Sequence, residues 1–135
     1  MRKLVTEDGT VDFGLISEPV TNINYLDFDF RSPLGRKRFL WSRKFLFKQF
    51  FFVGLNDAQI SAGVAVVDLK YAANAFCYVY DRQNDDFYEV NTITLPFRTR
   101  IPLNPEQPQA DFTNRKMHIK MIRDIVYVKT ADMEW

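Results

Sequence analysis

The sequence predicts an all-β fold, an antiparallel β-barrel or sandwich with little helix. Three observations carry that expectation. Turn signals recur along the chain: "EDG" at 7–9, "SPLG" at 32–35, "DRQNDD" at 81–86 and "PLNPEQPQ" at 102–109. The runs between them are short and rich in Val, Ile, Phe and Tyr, residues that suit a pleated surface. In "KMHIKMI" (116–122), Met117, Ile119 and Met121 alternate with His118 and Lys120, the period of a half-buried strand.

Each element follows from its residues. The stretch "RKRFLWSRKFLFKQFFFVGL" (36–55) mixes basic and aromatic side chains and holds no acid. On a helical wheel its apolar positions 39–41, 45–47 and 50–53 scatter around the circumference, so no single stripe forms. That argues against an amphipathic membrane helix and leaves room for a short helical piece at 36–43. As a strand, 45–53 places Phe45, Phe47, Phe51 and Val53 on one face and Leu46, Lys48, Phe50 and Phe52 on the other. Both faces are mostly apolar, which predicts a central strand. "QISAGVAVVD" (59–68) is small and apolar without clean alternation, the pattern of a strand covered on both faces or tightly curved at Gly63. "AFCYVYD" (75–81) and "FYEVNTITL" (87–95) flank a polar loop and read as a hairpin. "KMHIKMI" and "IVYVKT" (125–130) read as a second. At least six strands are expected, with Phe50, Phe52, Val66, Phe76, Tyr78 and Val90 in the core.

Length and composition narrow the function. The 135 residues suit one domain, 1–135, able to bury roughly two thirds of its unfolded surface. Hydrophobic residues make up 47% and charged residues 26%, ordinary values, whereas 13 Phe lift the aromatic share to 16%. Net charge is +1, so global charge names no partner. The single cysteine, Cys77, rules out an intrachain disulfide and fits a reducing cytoplasm. The N-terminus lacks the apolar stretch of a signal peptide. No apolar run approaches the ~20 residues of a membrane helix, so the chain is not expected to be transmembrane.

From Arg31 to Asn56 lie seven cations and no acid, while acids cluster at Asp81, Asp85, Asp86 and Glu89. Cations interleaved with Phe39, Trp41 and Phe45 are the pattern of a single-strand nucleic-acid binder. A chain with net charge near zero exerts little long-range pull on phosphates, so no nucleic-acid partner is expected. The favoured reading is solvated turn ends paired with those acids. His118 is the sole histidine and faces solvent by alternation, so no metal site and no cofactor are expected. Cys77 sits inside an apolar strand and reads as a buried structural thiol. Asp68 and Asp81 each end an apolar run, where a carboxylate caps a turn or points into a cavity.

"RKRFLW", "VVDLKYAANAFCYVYD" and "TLPF", with the leading "GLISEPV", resemble in order the N-terminal part of the uncharacterised family called domain of unknown function 2804. The Asp68–Asp81 segment is the most specific part. The sequence departs from the pattern at Phe39, where the family has Trp, and in an insert containing "NDAQ". The resemblance implies a relative about twice as long and, more remotely, calycin-like paired β-barrels that hold a lipophilic molecule. It implies no reaction, because a fold does not license an activity.

Three functions are compatible with these features. The first is a β-barrel-type binding module for a lipophilic or amphipathic small molecule, with Trp41, Asp68, Tyr71, Tyr78 and Asp81 as candidate ligand-binding residues. The second is an interaction domain, a homodimer pairing through sheet edges such as "IVYVKT". The third is a hydratase- or cyclase-like enzyme whose acid is Asp68 or Asp81.

Overall fold

A computed structural model describes residues 2–11 and 13–131. The chain divides into two compact units, Met1–Phe47 with Pro102–Pro108 and Lys48–Ile101 with Gln109–Trp135. The fold is all-β with one short helix. The described residues form ten strands, and no sheet closes into a barrel.

The larger unit is two four-stranded antiparallel sheets packed face to face. The first runs in the order β3 (Gln49–Asn56), β4 (Ile60–Asp68), β5 (Ala73–Asp81), β6 (Asp86–Thr94). The second has the order β10 (Ile125–Thr130), β9 (Met117–Ile122), β8 (Gln109–Thr113), β7 (Thr99–Arg100). Both expected hairpins are present, as β5–β6 and β9–β10. Sequence neighbours pair throughout each sheet; short turns join them directly except between β7 and β8, which the 101–108 segment links.

Register builds the core row by row. In the first sheet Phe51, Val66, Ala75 and Thr92 lie side by side, and next to them Val53, Val64, Cys77 and Val90. In the second, Phe112, Ile119 and Val128 form one row, and Ala110, Met121 and Val126 another. Eleven of these and neighbouring residues form one buried apolar cluster that spans both sheets. Two side-chain hydrogen bonds cross at its margin, Tyr88 Oη with Thr130 Oγ1 (3.1 Å) and Asn114 Nδ2 donating to Thr92 Oγ1 (2.8 Å).

Three expectations change. Phe50 and Phe52 do not enter the core, being 61% and 46% exposed. They point to the outer face of the first sheet, while Phe51 and Val53 turn inward. The strand that carries them is an edge strand and not a central one, and residues before Gln49 do not belong to it. Val66 is fully buried, whereas Phe76, Tyr78 and Val90 are half-buried. The strand covered on both faces is β4, buried continuously from Ala62 to Val66. Its outer face is made of Gly63 and Ala65. A Cβ on Gly63 would stand 2.4 Å from Cε1 of Tyr78, so glycine is what lets that ring lie flat against the backbone.

The smaller unit has little regular structure. β1 (Arg2–Lys3) and β2 (Val20–Asn22) pair in parallel, and α1 spans Leu40–Leu46. Turns do most of the ordering. At "EDG", Thr6 N–H donates to Thr10 O and Gly9, at φ +80°, donates to Thr6 O. At "SPLG", Gly35, at φ +74°, donates to Ser32 O. Asn24 clamps Val5 from both sides, its Oδ1 accepting from Val5 N–H and its Nδ2 donating to Val5 O, each 2.9 Å.

Candidate functional site

The residues singled out by sequence do not converge. Asp68 and Asp81 end β4 and β5, which run antiparallel. They stand eight residues apart along the ladder, roughly 27 Å at ~3.4 Å per residue. No acid–base pair can form between them. Each caps a turn. Asp68 Oδ1 accepts from Lys70 N–H (2.8 Å), and Oδ2 pairs with Lys70 Nζ (2.5 Å), which also donates to Gln49 Oε1. Asp81 accepts from the Nδ2 of Asn84 and from the backbone N–H groups of Gln83 and Asn84. Those hydrogen bonds, the Asn84 side chain's first, hold its carboxyl below the usual range, the wrong direction for a general acid at neutral pH.

Each aromatic candidate has surroundings of its own. The Lys48 ammonium lies 4.6 Å from the ring centre of Tyr71, and it donates to Leu69 O. Tyr78 lies over Gly63 on the outer sheet face, 6.2 Å from the Phe87 ring. Trp41 is on α1 and 72% exposed. His118 also faces outward, edge-on to Tyr127. Cys77 is buried between the sheets, and burial pushes its thiol up, so it stays protonated. Among the described residues no group of His, Cys, Asp or Glu stands together to hold a metal ion.

The basic stretch resolves into local contacts. Of the acids at 81–89, Asp81 and Asp85 accept hydrogen bonds from their own turn region, from Asn84 and Gln83 and from Tyr80. Arg31 pairs with Asp29 (2.7 Å), and Lys37 lies 3.9 Å from it. Arg43 reaches back from α1 to the carbonyls of Leu26 and Phe28. A seven-residue helix without a side-chain cap is marginal alone, and this reach fixes it.

Around Arg43 the smaller unit opens an apolar cleft of about 310 Å³. Leu4, Val5 and Val11 line it from the N-terminal turn region, Ile23, Tyr25, Phe28 and Phe30 from the segment after β2, and Leu46 and Phe47 from the helix end. The Tyr25 and Phe47 rings stack at 3.8 Å with planes 8° apart. Arg43 is the one charged side chain among the lining residues. Its Nε is buried and has no hydrogen-bond partner among the described residues.

The profile of one family, a domain of unknown function numbered 2804, matches residues 1–134. The chain belongs to that family. No curated protein and no solved structure matches it. The family segment "VVDLKYAANAFCYVYD" is the end of β4, the Asp68 turn and β5, the two inner strands of the first sheet. "TLPF" ends β6 in a turn with Phe97 at φ +67°. The apolar cleft escaped sequence reasoning because its residues come from four separate stretches. The available signal was "NYLDFDF" (24–30), whose Tyr25, Phe28 and Phe30 all line the cleft.

Proposed function

We propose that this chain is a binding module for an amphipathic small molecule, held in the apolar cleft of the smaller unit. The carrying observation is the lining: aliphatic and aromatic walls around one arginine whose buried Nε lacks an acceptor. Clefts of about 300–1,000 Å³ with apolar walls and a few placed polar groups are the usual form of small-molecule sites. A buried donor left unpaired costs about 1–3 kcal/mol, which a ligand carboxylate or carbonyl would recover. The apolar part lies against Ile23, Phe28 and Phe30, and the acceptor meets Arg43. A free, buried Cys77 supports a reducing, cytoplasmic compartment within this reading.

The test is titration with a fluorescent long-chain fatty acid. Saturable binding that weakens at least tenfold in Leu46→Asp and survives in Phe50→Asp supports the cleft. The reverse pattern, or no saturable binding, rejects it.

A second reading rests on the outer face of the first sheet. Phe50, Phe52, Phe87 and Ile93 are exposed there together, and β3 and β10 are edge strands. Exposed apolar faces and open edges suit a second copy of the chain. A dimeric mass in light scattering that becomes monomeric in Phe52→Asp would favour it.

A further inference from the structure

We infer that the larger unit carries a binding site for a phosphorylated small molecule, independent of the apolar cleft. A second open cleft, of about 590 Å³, lies along the free edge of β6. Its floor is Asn91–Thr94, and its far wall is the turn that joins β8 to β9. Arg98, Arg115 and Lys116 line it, and no carboxylate does. None of these three cations makes a side-chain hydrogen bond or ion pair with a described residue. This differs from the Arg31–Lys48 region, where Arg31, Lys37, Arg43 and Lys48 have partners on the protein.

The frame around the three cations is fixed. Asn114 Nδ2 ties the turn to Thr92, and Asn114 Oδ1 accepts from the backbone N–H groups of Lys116 (2.8 Å) and Met117 (2.9 Å). Thr113 N–H donates to Arg98 O (3.2 Å), which joins the third cation to the same turn. Asn74 Nδ2 donates to Asn91 Oδ1 (2.9 Å), so the Asn91 amide is oriented with its own Nδ2 left to donate. Three like charges held together repel one another, and an anion relieves that repulsion. Two guanidinium forks match phosphate oxygens bidentately, and an ammonium adds a point charge. The space exceeds a bare phosphate, and Ile93, 67% exposed, gives an organic group an apolar contact.

The experiment is calorimetric titration with phenyl phosphate, inorganic phosphate and benzoate. Phenyl phosphate should bind most tightly, then inorganic phosphate, and both should weaken as salt rises. Arg115→Gln with Lys116→Gln should weaken phenyl phosphate at least tenfold. The double variant should keep or raise the melting temperature, because neither side chain has a hydrogen-bond or ion-pair partner among the described residues. Three results would overturn the inference: no saturable binding at millimolar phenyl phosphate, binding unchanged in the double variant, or a single-stranded oligonucleotide binding more tightly than phenyl phosphate.

Discussion

The two units reach order by different routes. The larger one has an apolar interior: Phe112, Ile119 and Val128 are fully buried, and Met117 and Met121 nearly so. In the smaller one Val5 is the only buried hydrophobic among the described residues. Its aromatics are half-buried or exposed, and its path is set by turns, by the Asn24 clamp and by Arg43 on two carbonyls. The contrast teaches where each kind of property resides. A filled interior resists deformation. A frame of hydrogen bonds around incompletely covered rings leaves a cleft, which is where a ligand can contribute burial that the chain alone does not provide.

The largest effect should come from the filled interior. Phe112→Ala should cost ~3–5 kcal/mol in denaturant unfolding. Phe76→Ala, half-buried on the outer face, should cost visibly less. Equal costs would break the distinction between the two faces of the first sheet.

A smaller and more local effect is expected from the clamp. Asn24→Ala strands the N–H of Val5, 3% exposed, and should cost about 1–3 kcal/mol. Hydrogen exchange should speed up at Val5 and its neighbours while the β4 and β5 amides keep their protection. Uniform loss of protection would show that the two units unfold as one.

The smallest effect concerns acid. Asp57 is held low by the backbone N–H groups of Ile60 and Gln59, and Asp81 by Asn84 and Gln83. Their folded pKa values lie below the ordinary 3.8, so the folded state binds fewer protons than the unfolded one in that range. Their contribution is present above about pH 4 and is lost as pH falls through the depressed values. The melting temperature should drop below that point, with a shallower drop in Asp81→Asn. Since Asp57 is exposed and Asp81 only half-buried, the slope should be gentle, and an identical slope in the variant would remove Asp81 from the account.

Much of this fold was legible. Turn residues and β-branched runs placed both hairpins, because their geometry depends on local chemistry. "QISAGVAVVD" fitted either a strand covered on both sides or one tightly curved at Gly63; the first holds, and Gly63 beneath Tyr78 is the reason it can. What failed was the choice of face for β3. Phe50, Phe51, Phe52 and Val53 are all apolar, so alternation separates them into two sets without saying which set meets the second sheet. Strand order is equally silent in a run of aromatics, and β3 proved to be an edge. The sites were less legible. Asp68 and Asp81 stood out by position, but turn capping accounts for both. The two clefts draw on residues far apart in the chain, and the basic one is announced only by the short signals "RTR" (98–100) and "NRK" (114–116).

The smaller unit is discontinuous: it needs Pro102–Pro108, and Ile23 N–H donates to Leu103 O at 2.8 Å. On a ribosome this imposes an order of events. Residues 1–47 emerge before their closing segment and lack it until residue 108 has left the exit tunnel. The β3–β6 meander lies between, and its nearest-neighbour hairpins can form as they appear. Residues 1–47 are therefore expected to finish after that meander, with their Phe and Leu side chains uncovered until the 102–108 segment is out. A nascent-chain series should show protease resistance arising first in 49–94. It should reach 2–47 only after the loop at 102–108 is out.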